Sequence, residues 1–157
     1  MLKGHKQPVY NVGFSPNCHS LVSASADKSI RIWNIRDGSS KILPVTGSPN
    51  YFMSVEFSPD GKYVAAGNFD GSVWIWDSRT HTLAAMWRED RSRVWCTKFT
   101  ADGKGLMSGY SDHTVRYWDV SLLENRRGVY EDQSFPLVRS FFGHNVRYVP
   151  LLSRNVD

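Results

Sequence analysis

Several features that define other protein classes are missing from this sequence of 157 residues. Its only two cysteines, Cys18 and Cys96, form neither a CxxC pair nor a disulfide framework, so a reduced intracellular compartment is expected. There is no run of about eighteen apolar residues and no apolar signal-peptide core at the start, so we expect neither a membrane span nor a standard secretion signal. The five histidines and two cysteines lack metal-ligand spacing.

Motifs of nucleotide-dependent enzymes, of N-glycosylation and of nucleic-acid binding are absent as well. There is no GxGxxG sequence, no P-loop and no Asn-x-Ser/Thr glycosylation site. The net charge of +4 arises from 19 basic and 15 acidic residues of interspersed sign, without a dense Lys/Arg block. We therefore predict that the chain is not an enzyme and has no catalytic residue, metal or cofactor. Direct binding to nucleic acid or a membrane is also not expected.

A repeat with a period of 42 to 43 residues is the main signal that the sequence does carry. Three landmarks recur in one register, namely a phenylalanine, a turn aspartate and a strand tryptophan. They are Phe14, Phe57 and Phe99; Asp27, Asp70 and Asp112; and Trp33, Trp76 and Trp118. A match of three separate landmarks indicates three copies of one structural unit.

Each unit reads as short strands separated by turns. Apolar and polar residues alternate in the tryptophan strand, as in Ile30-Arg31-Ile32, which is the period of a β-strand. Ser-Pro-Asp-Gly at 58–61 and Ala-Asp-Gly at 101–103 favour tight turns. With outer strands predicted in 41–45, 83–87 and 137–142, each unit is a four-stranded antiparallel sheet. Its length is that of one propeller blade.

The signature dipeptides of a known family accompany this pattern. Gly-His stands at 4–5 and again at 143–144, and Trp-Asp at 76–77 and 118–119, with Trp33-Asn34 as a variant. The chain therefore resembles the WD-repeat family. The resemblance implies an all-β fold: a partial β-propeller of three four-stranded antiparallel WD blades plus the start of a fourth.

The repeat boundaries divide the chain into five segments. Blade one is predicted at 4–35, blade two at 40–78, blade three at 82–120, a charged insert at 121–136 and a partial blade four at 137–157. In the last segment, 146–150 is predicted to begin an inner strand. The ragged ends favour a truncated product, with a piece of a larger protein or a ring completed by oligomerisation as alternatives. The insert is either a functional loop or a tolerated surface insertion.

The family resemblance implies a structural hydrogen-bond network in blade one, formed by His5, Ser23, Asp27 and Trp33. A buried indole N–H needs an acceptor, and an imidazole can link donor to acceptor. A catalytic triad would use the same residue types, but the family pattern accounts for all four as structural. The register gives Ser48 and Asp90 where His5 would recur, and the strand serine becomes Ala66 in blade two, whereas blade three keeps Ser108. Blades two and three are therefore predicted to lack the complete network.

The resemblance also implies where a partner binds, on the face formed by the loops that enter the inner strands. The positions that it assigns to this face are rich in side chains that dominate protein interfaces. They are Tyr10, Tyr51, Met53, Phe69, Arg93 and Trp95, together with the small residues Pro8, Ala26 and Ser111. The alternative is that some of these side chains pack between blades.

The predicted function is a protein–protein interaction scaffold. The segment 61–67 followed by 76–80 resembles the Tup-type transcriptional corepressors, relatives of Groucho. That resemblance implies binding to DNA-bound regulators or histone tails and slightly favours the nucleus over the cytoplasm. The alternative is a WD-repeat adaptor in a ubiquitin-ligase, RNA-processing or signalling assembly.

Overall fold

The computed structural model describes residues 1–47, 49–88, 91–125, 130–131, 137–142 and 145–148. Strands make up nearly all of its regular structure and form three separate sheets that follow one another along the chain. Within these described ranges, no helix has the length and apolar character needed to cross a membrane. The all-β prediction is confirmed.

The first sheet is an antiparallel meander of four strands. It consists of β1 (Val9–Phe14), β2 (Ser20–Ser25), β3 (Ile30–Asn34) and β4 (Ser40–Ile42), paired in that order. The outer strand β4 is shorter than the predicted 41–45 because Pro44 has no N–H to donate to a ladder.

The second repeat forms the same meander. Its strands are β5 (Phe52–Phe57), β6 (Tyr63–Asn68), β7 (Ser72–Asp77) and β8 (Leu83–Arg88). The predicted outer strand at 83–87 matches β8 within one residue.

The third repeat begins with β9 (Val94–Phe99), β10 (Gly105–Tyr110) and β11 (Thr114–Asp119), again antiparallel. A short 3₁₀ turn follows at Ser121–Asn125. Next in the chain is the two-residue strand β12 (Tyr130–Glu131), which pairs in parallel with β8 of the second sheet. The described part of the insert at 121–136 therefore holds short regular elements rather than loop alone.

Two strands end the described chain. Strand β13 (Leu137–Phe142) pairs with β11 as the outer strand of the third sheet, at the predicted 137–142. Strand β14 (Asn145–Tyr148) then pairs antiparallel with β13, so the sheet has the order β14-β13-β11-β10-β9. The segment expected to begin the inner strand of a fourth blade thus extends the third sheet, because a nearby free edge accepts its hydrogen bonds. The rest of the predicted fourth blade, 149–157, lies outside the described residues.

The first turn of each blade uses the same left-handed backbone position. Gly61 and Gly103 take φ values of 74° and 71° there, and Cys18 takes 57° at the equivalent place in blade one. Glycine adopts this region without a Cβ penalty, which is why Asp-Gly predicts the turn well. Blade one closes the same turn without glycine, with a hydrogen bond from Cys18 N–H to the Ser15 carbonyl at 2.8 Å.

The core lies between the blades. One cluster joins Val22, Ile30 and Leu43 of blade one to a face of blade two that includes Val55 and Trp76. A second cluster joins the opposite face of blade two to blade three in the same way. Blade two thus buries one face against blade one and the other against blade three.

Candidate partner-binding face

Every inner strand carries a β-bulge at the same repeat position. In blade one, Val9 pairs with Ser25 and Asn11 with the adjacent Ala24, which leaves Tyr10 as the extra residue. The pairing skips Met53 in blade two and Trp95 in blade three in the same way. A bulge kinks its strand and re-aims the extra side chain. The three bulges thus distinguish three of the six predicted partner residues from their strand neighbours.

The bulged side chains differ in exposure. Tyr10 and Trp95 are each 47% exposed, whereas Met53 is half-buried. Met53 and Trp95 both line a cleft of about 410 Å³ between the inner strands β1, β5 and β9, and Tyr10 is not among its lining residues. Met53 and Trp95 thus share one cleft, and Tyr10 presents an exposed ring outside it.

Tyr51, Phe69 and Arg93 form one contiguous stack. The Tyr51 and Phe69 rings lie 6.0 Å apart between centroids with an interplanar angle of 57°. The guanidinium carbon of Arg93 lies 4.1 Å from the centroid of the Phe69 ring, which is a cation–π contact. The stack crosses the boundary between blades two and three, which sequence adjacency alone does not reveal.

Backbone hydrogen bonds fix both ends of this stack. Phe69 N–H donates to the Tyr51 carbonyl at 2.8 Å, and Tyr51 N–H donates to the side chain of Asn50 at 2.9 Å. Arg93 N–H donates to Ser111 Oγ, and Ser111 N–H donates back to the Arg93 carbonyl, both at 2.9 Å. The small residue Ser111, predicted for this face, therefore positions Arg93.

The floor of the cleft contains side-chain links between the inner strands. Ser54 Oγ and Thr97 Oγ1 lie 3.1 Å apart, and Val55 N–H donates to Asn11 Oδ1 at 3.0 Å. Glu56 accepts hydrogen bonds from Lys98 Nζ at 2.8 Å and from the Phe99 N–H. Burial raises the pKa of Glu56, against the opposing effect of the Lys98 hydrogen bond. These links hold adjacent inner strands, and hence the cleft walls, in register.

The four residues assigned to the structural network of blade one lie within one hydrogen-bonded chain. His5 Nδ1 is 2.9 Å from Asp27 Oδ2, and His5 Nε2 is 2.6 Å from Ser23 Oγ. The Trp33 indole N–H donates to the same Ser23 Oγ at 2.8 Å. Ser23 is only 2% exposed, and its hydroxyl is shared between His5 Nε2 and the Trp33 indole N–H. The arrangement suits polar satisfaction rather than nucleophilic catalysis.

Asp27 holds the charged end of that chain. Burial favours its neutral form, but hydrogen bonds from the Ser29 hydroxyl, the Lys6 N–H, His5 and the Ser29 N–H outweigh burial and hold the pKa of Asp27 below its usual value. Asp27 is therefore ionised at neutral pH.

Blade two uses other partners. Ala66 supplies no hydroxyl, and the Trp76 indole N–H donates instead to the Pro44 carbonyl at 2.6 Å. A second tryptophan, Trp74, donates to Ser72 Oγ at 2.7 Å, and Ser72 donates to Asp70 Oδ1 at 2.5 Å. The turn aspartate is thus engaged without a histidine.

Blade three combines one family contact with a new one. The Trp118 indole N–H donates to Ser108 Oγ at 2.6 Å. Arg116, which is 5% exposed, donates to Asp112 Oδ2 at 2.7 Å, and its guanidinium carbon lies 4.0 Å from the Tyr110 ring centroid. Ser48 and Asp90, the positions equivalent to His5, lie outside the described residues. Sequence reasoning missed Arg116, although an arginine at an inward position of a strand was a usable signal.

The family model of the WD domain, G-beta repeat, matches residues 1–34, 40–77 and 81–119. The chain belongs to the WD-repeat family. The three matches follow the three observed sheets, and the second and third each begin with the outer strand of the preceding blade, β4 and β8. Among the described residues, no group of three His, Cys, Asp or Glu side chains is placed to hold a metal ion.

Curated WD-repeat relatives have varied names. The chain is 35% identical over 129 residues to the guanine nucleotide-binding protein subunit beta of Zea mays, covering 77% of this chain and 34% of that protein. It is 30% identical over 138 residues to eukaryotic translation initiation factor 3 subunit I of Aspergillus oryzae, covering 80% and 41%. It is also 28% identical over 118 residues to transcription initiation factor TFIID subunit 5 of Caenorhabditis elegans, covering 74% and 18%. The chain thus spans less than half the length of these three relatives. Their names do not support the corepressor subtype.

A solved structure shows the same fold. The WD40 repeats of RRP9 superpose with a TM-score of 0.78 at 23% sequence identity, covering 92% of this chain and 42% of that one. The structure of U3-55K gives the same values. At this identity the similarity establishes the propeller-type arrangement of the blades.

Proposed function

We propose that this WD-repeat chain is an interaction scaffold that binds a peptide segment of a partner protein. The binding surface, named here the partner face, consists of six residues. They are Tyr10, Tyr51, Met53, Phe69, Arg93 and Trp95. The contiguous stack of Tyr51, Phe69 and Arg93 beside the cleft that Met53 and Trp95 line is the observation that carries this proposal.

The composition and exposure of the partner face both favour binding. Tyr, Trp and Arg are the residues most enriched among interface positions of high binding energy. Trp95 and Tyr10 are 47% exposed and Tyr51 is 40% exposed, which argues against the alternative that these rings only pack between blades. The pinned backbones of Tyr51 and Arg93 reduce the conformational entropy that a partner must overcome on binding.

Quantitative affinity capture tests the proposal. The chain and the variants Tyr51→Ala and Trp95→Ala are immobilised at equal folded amounts, and bound proteins from a cell extract are measured by mass spectrometry. We expect a shared set of partners to be lost from both variants, with a decrease of about tenfold or more for residues of this kind.

Ile42→Ala provides a matched control. Ile42 is 54% exposed on the outer strand β4, so its truncation removes a comparable exposed apolar group far from the partner face. The control should capture the same proteins as the unchanged chain. Equal capture by all four proteins would contradict the proposed face.

A finer assignment within the scaffold class requires defined ligands. The corepressor proposal expects histone-tail peptides or segments of transcription regulators to bind the partner face and places the chain in the nucleus. The adaptor proposal expects segments from ubiquitin-ligase, RNA-processing or signalling proteins. The relatives named for translation initiation and for transcription initiation favour neither proposal. Titration of the chain with labelled histone-tail peptides, with Trp95→Ala in parallel, separates the two.

A further inference from the structure

Arg93 is an exposed cation with a fixed position and no ion-pair partner among the residues that the structure describes. Two other arginines of the same chain, Arg88 and Arg116, each pair with the turn aspartate of a blade. Arg93 instead lies against the Phe69 ring at 4.1 Å. Its five guanidinium donors are therefore available to a ligand.

The stack prepares this guanidinium for binding. Phe69 supports one face of the planar group, while the two hydrogen bonds with Ser111 fix the Arg93 backbone. An arginine held in this way loses less rotamer freedom when it binds a carboxylate than a mobile one would. Arginine also matches a carboxylate with two parallel hydrogen bonds, which a lysine does not.

Large apolar side chains lie near Arg93, at a cleft whose floor is otherwise polar. Trp95 follows two residues later in the sequence, and together with Met53 it lines the cleft between the inner strands. Tyr51 adds a third partly exposed ring at the other side of Phe69. Successive residues of an extended peptide are about 3.3 Å apart. A charged group at Arg93 and a large apolar group in the cleft are thus within reach of neighbouring positions of one ligand.

We propose that the partner face recognises an acidic side chain, the carboxylate of Asp or Glu, close in sequence to a large apolar side chain. Arg93 binds the carboxylate, and Trp95 with Met53 accepts the apolar group. This inference rests on the proposed function, because it specifies the chemistry of the peptide that the partner face binds. The net charge of +4 also favours a negatively charged ligand.

Selection from a random peptide library tests this directly. A phage library displaying random heptapeptides is selected on the chain and on Arg93→Gln, Arg91→Gln and Trp95→Ala, and the bound pools are sequenced. Arg91→Gln is the matched control, because Arg91 is also exposed and its loss changes the net charge identically. Arg91 also makes no ring contact and no ion pair with a described residue.

The expected result is enrichment of Asp or Glu within three positions of a Trp, Phe, Leu or Met. Arg93→Gln should remove the acidic preference and keep the apolar one, Trp95→Ala should do the reverse, and Arg91→Gln should select as the unchanged chain does. The best acidic peptide should bind Arg93→Gln about tenfold more weakly, as expected for loss of a charge-assisted hydrogen bond.

Two outcomes would overturn the inference and can be told apart. Peptides that depend on Trp95 but show no acidic preference, or an acidic preference that survives Arg93→Gln or disappears equally in Arg91→Gln, would refute acid recognition and leave the proposed function standing. If neither Trp95→Ala nor Arg93→Gln changes which peptides are selected, or if no peptide is enriched at all, the partner face itself is refuted.

Discussion

At the residue scale, the signature tryptophan has the same place in each blade but not the same acceptor. Trp33 and Trp118 donate to a strand serine, whereas Trp76 donates to the carbonyl of Pro44. The common requirement is that a buried indole N–H must find an acceptor, since an unsatisfied buried donor costs about 1–3 kcal/mol. The serine is one solution to this requirement and a neighbouring backbone carbonyl is another.

Removal of the serine hydroxyl from blade one should therefore destabilise the chain. Ser23→Ala leaves the Trp33 indole and His5 Nε2 without their shared partner, and we expect a loss of about 1–3 kcal/mol in the free energy of unfolding. Urea denaturation followed by tryptophan fluorescence measures it. The reciprocal variant Ala66→Ser is the control and should give no comparable gain, because Trp76 is already satisfied. Equal and opposite effects would show that the Pro44 carbonyl is a poor substitute.

The hydrogen bonds to Asp27 predict acid sensitivity. Because its pKa is lower in the folded chain than the ordinary value of about 3.9, its contribution to stability is complete above that value and decreases as the pH falls further. The unchanged chain should be more stable than Asp27→Asn at pH 7, and this difference should shrink between about pH 4 and pH 2. Denaturant melts at a series of pH values measure it. A difference that is constant with pH would show that Asp27 acts only through its shape.

At the scale of elements, Gly67 stands where blades two and three approach closely. A Cβ on Gly67 would lie 2.4 Å from Val94 Cγ1 and 2.8 Å from Ser54 Oγ. The equivalent residue of blade one is Ala24, which is fully buried, so the contact between blades one and two is wide enough for a methyl group. The equivalent strands β2 and β6 are similar, but the room for a side chain at the contact with the next blade differs.

Gly67→Ala should destabilise the contact between blades two and three by about 1–3 kcal/mol, as expected for overpacking. Gly109→Ala is the matched control at the same repeat position of blade three. Among the described residues, its added Cβ would meet only the Cys96 sulfur, at 2.8 Å, and that exposed side chain is able to move. Thermal unfolding of both variants gives the comparison, and similar melting temperatures would argue against the close approach.

At the scale of the whole molecule, the repeated phenylalanine reports how the blades cover one another. Phe57 and Phe99 are 9% and 7% exposed because each lies in the core formed with the preceding blade. Phe14, at the equivalent position of blade one, is 62% exposed. The same residue in the same register thus has a different environment, which is decided by its neighbour.

Truncation of these phenylalanines should give unequal losses of stability. Phe57→Ala and Phe99→Ala should each cost about 3 kcal/mol or more, because both empty a packed site. Phe14→Ala should change the free energy of unfolding by less than about 1 kcal/mol, as surface substitutions do. Denaturant unfolding of the three purified variants makes the comparison. A large loss for Phe14→Ala would mean that another surface covers this ring in solution.

Local patterns in the sequence were sufficient for much of this architecture. The alternation around Ile30-Arg31-Ile32 predicted a strand, and the Asp-Gly turns at 60–61 and 102–103 predicted the first turn of two blades, because both depend on neighbouring residues only. The repeat period predicted the number of sheets and the membership of Trp33 and Trp118 in equivalent strands.

Contacts between blades were decided by the tertiary structure. The stack of Arg93 on Phe69 joins blades two and three, and the Trp76 bond to Pro44 joins blade two to blade one. The addition of β14 to the third sheet depends on a free edge. The bulges at Tyr10, Met53 and Trp95 also leave no mark in the sequence, because a bulge is a mismatch in pairing between two strands. A single sequence encodes local preference directly, but which side chains meet across a boundary depends on how the packed blades lie against one another.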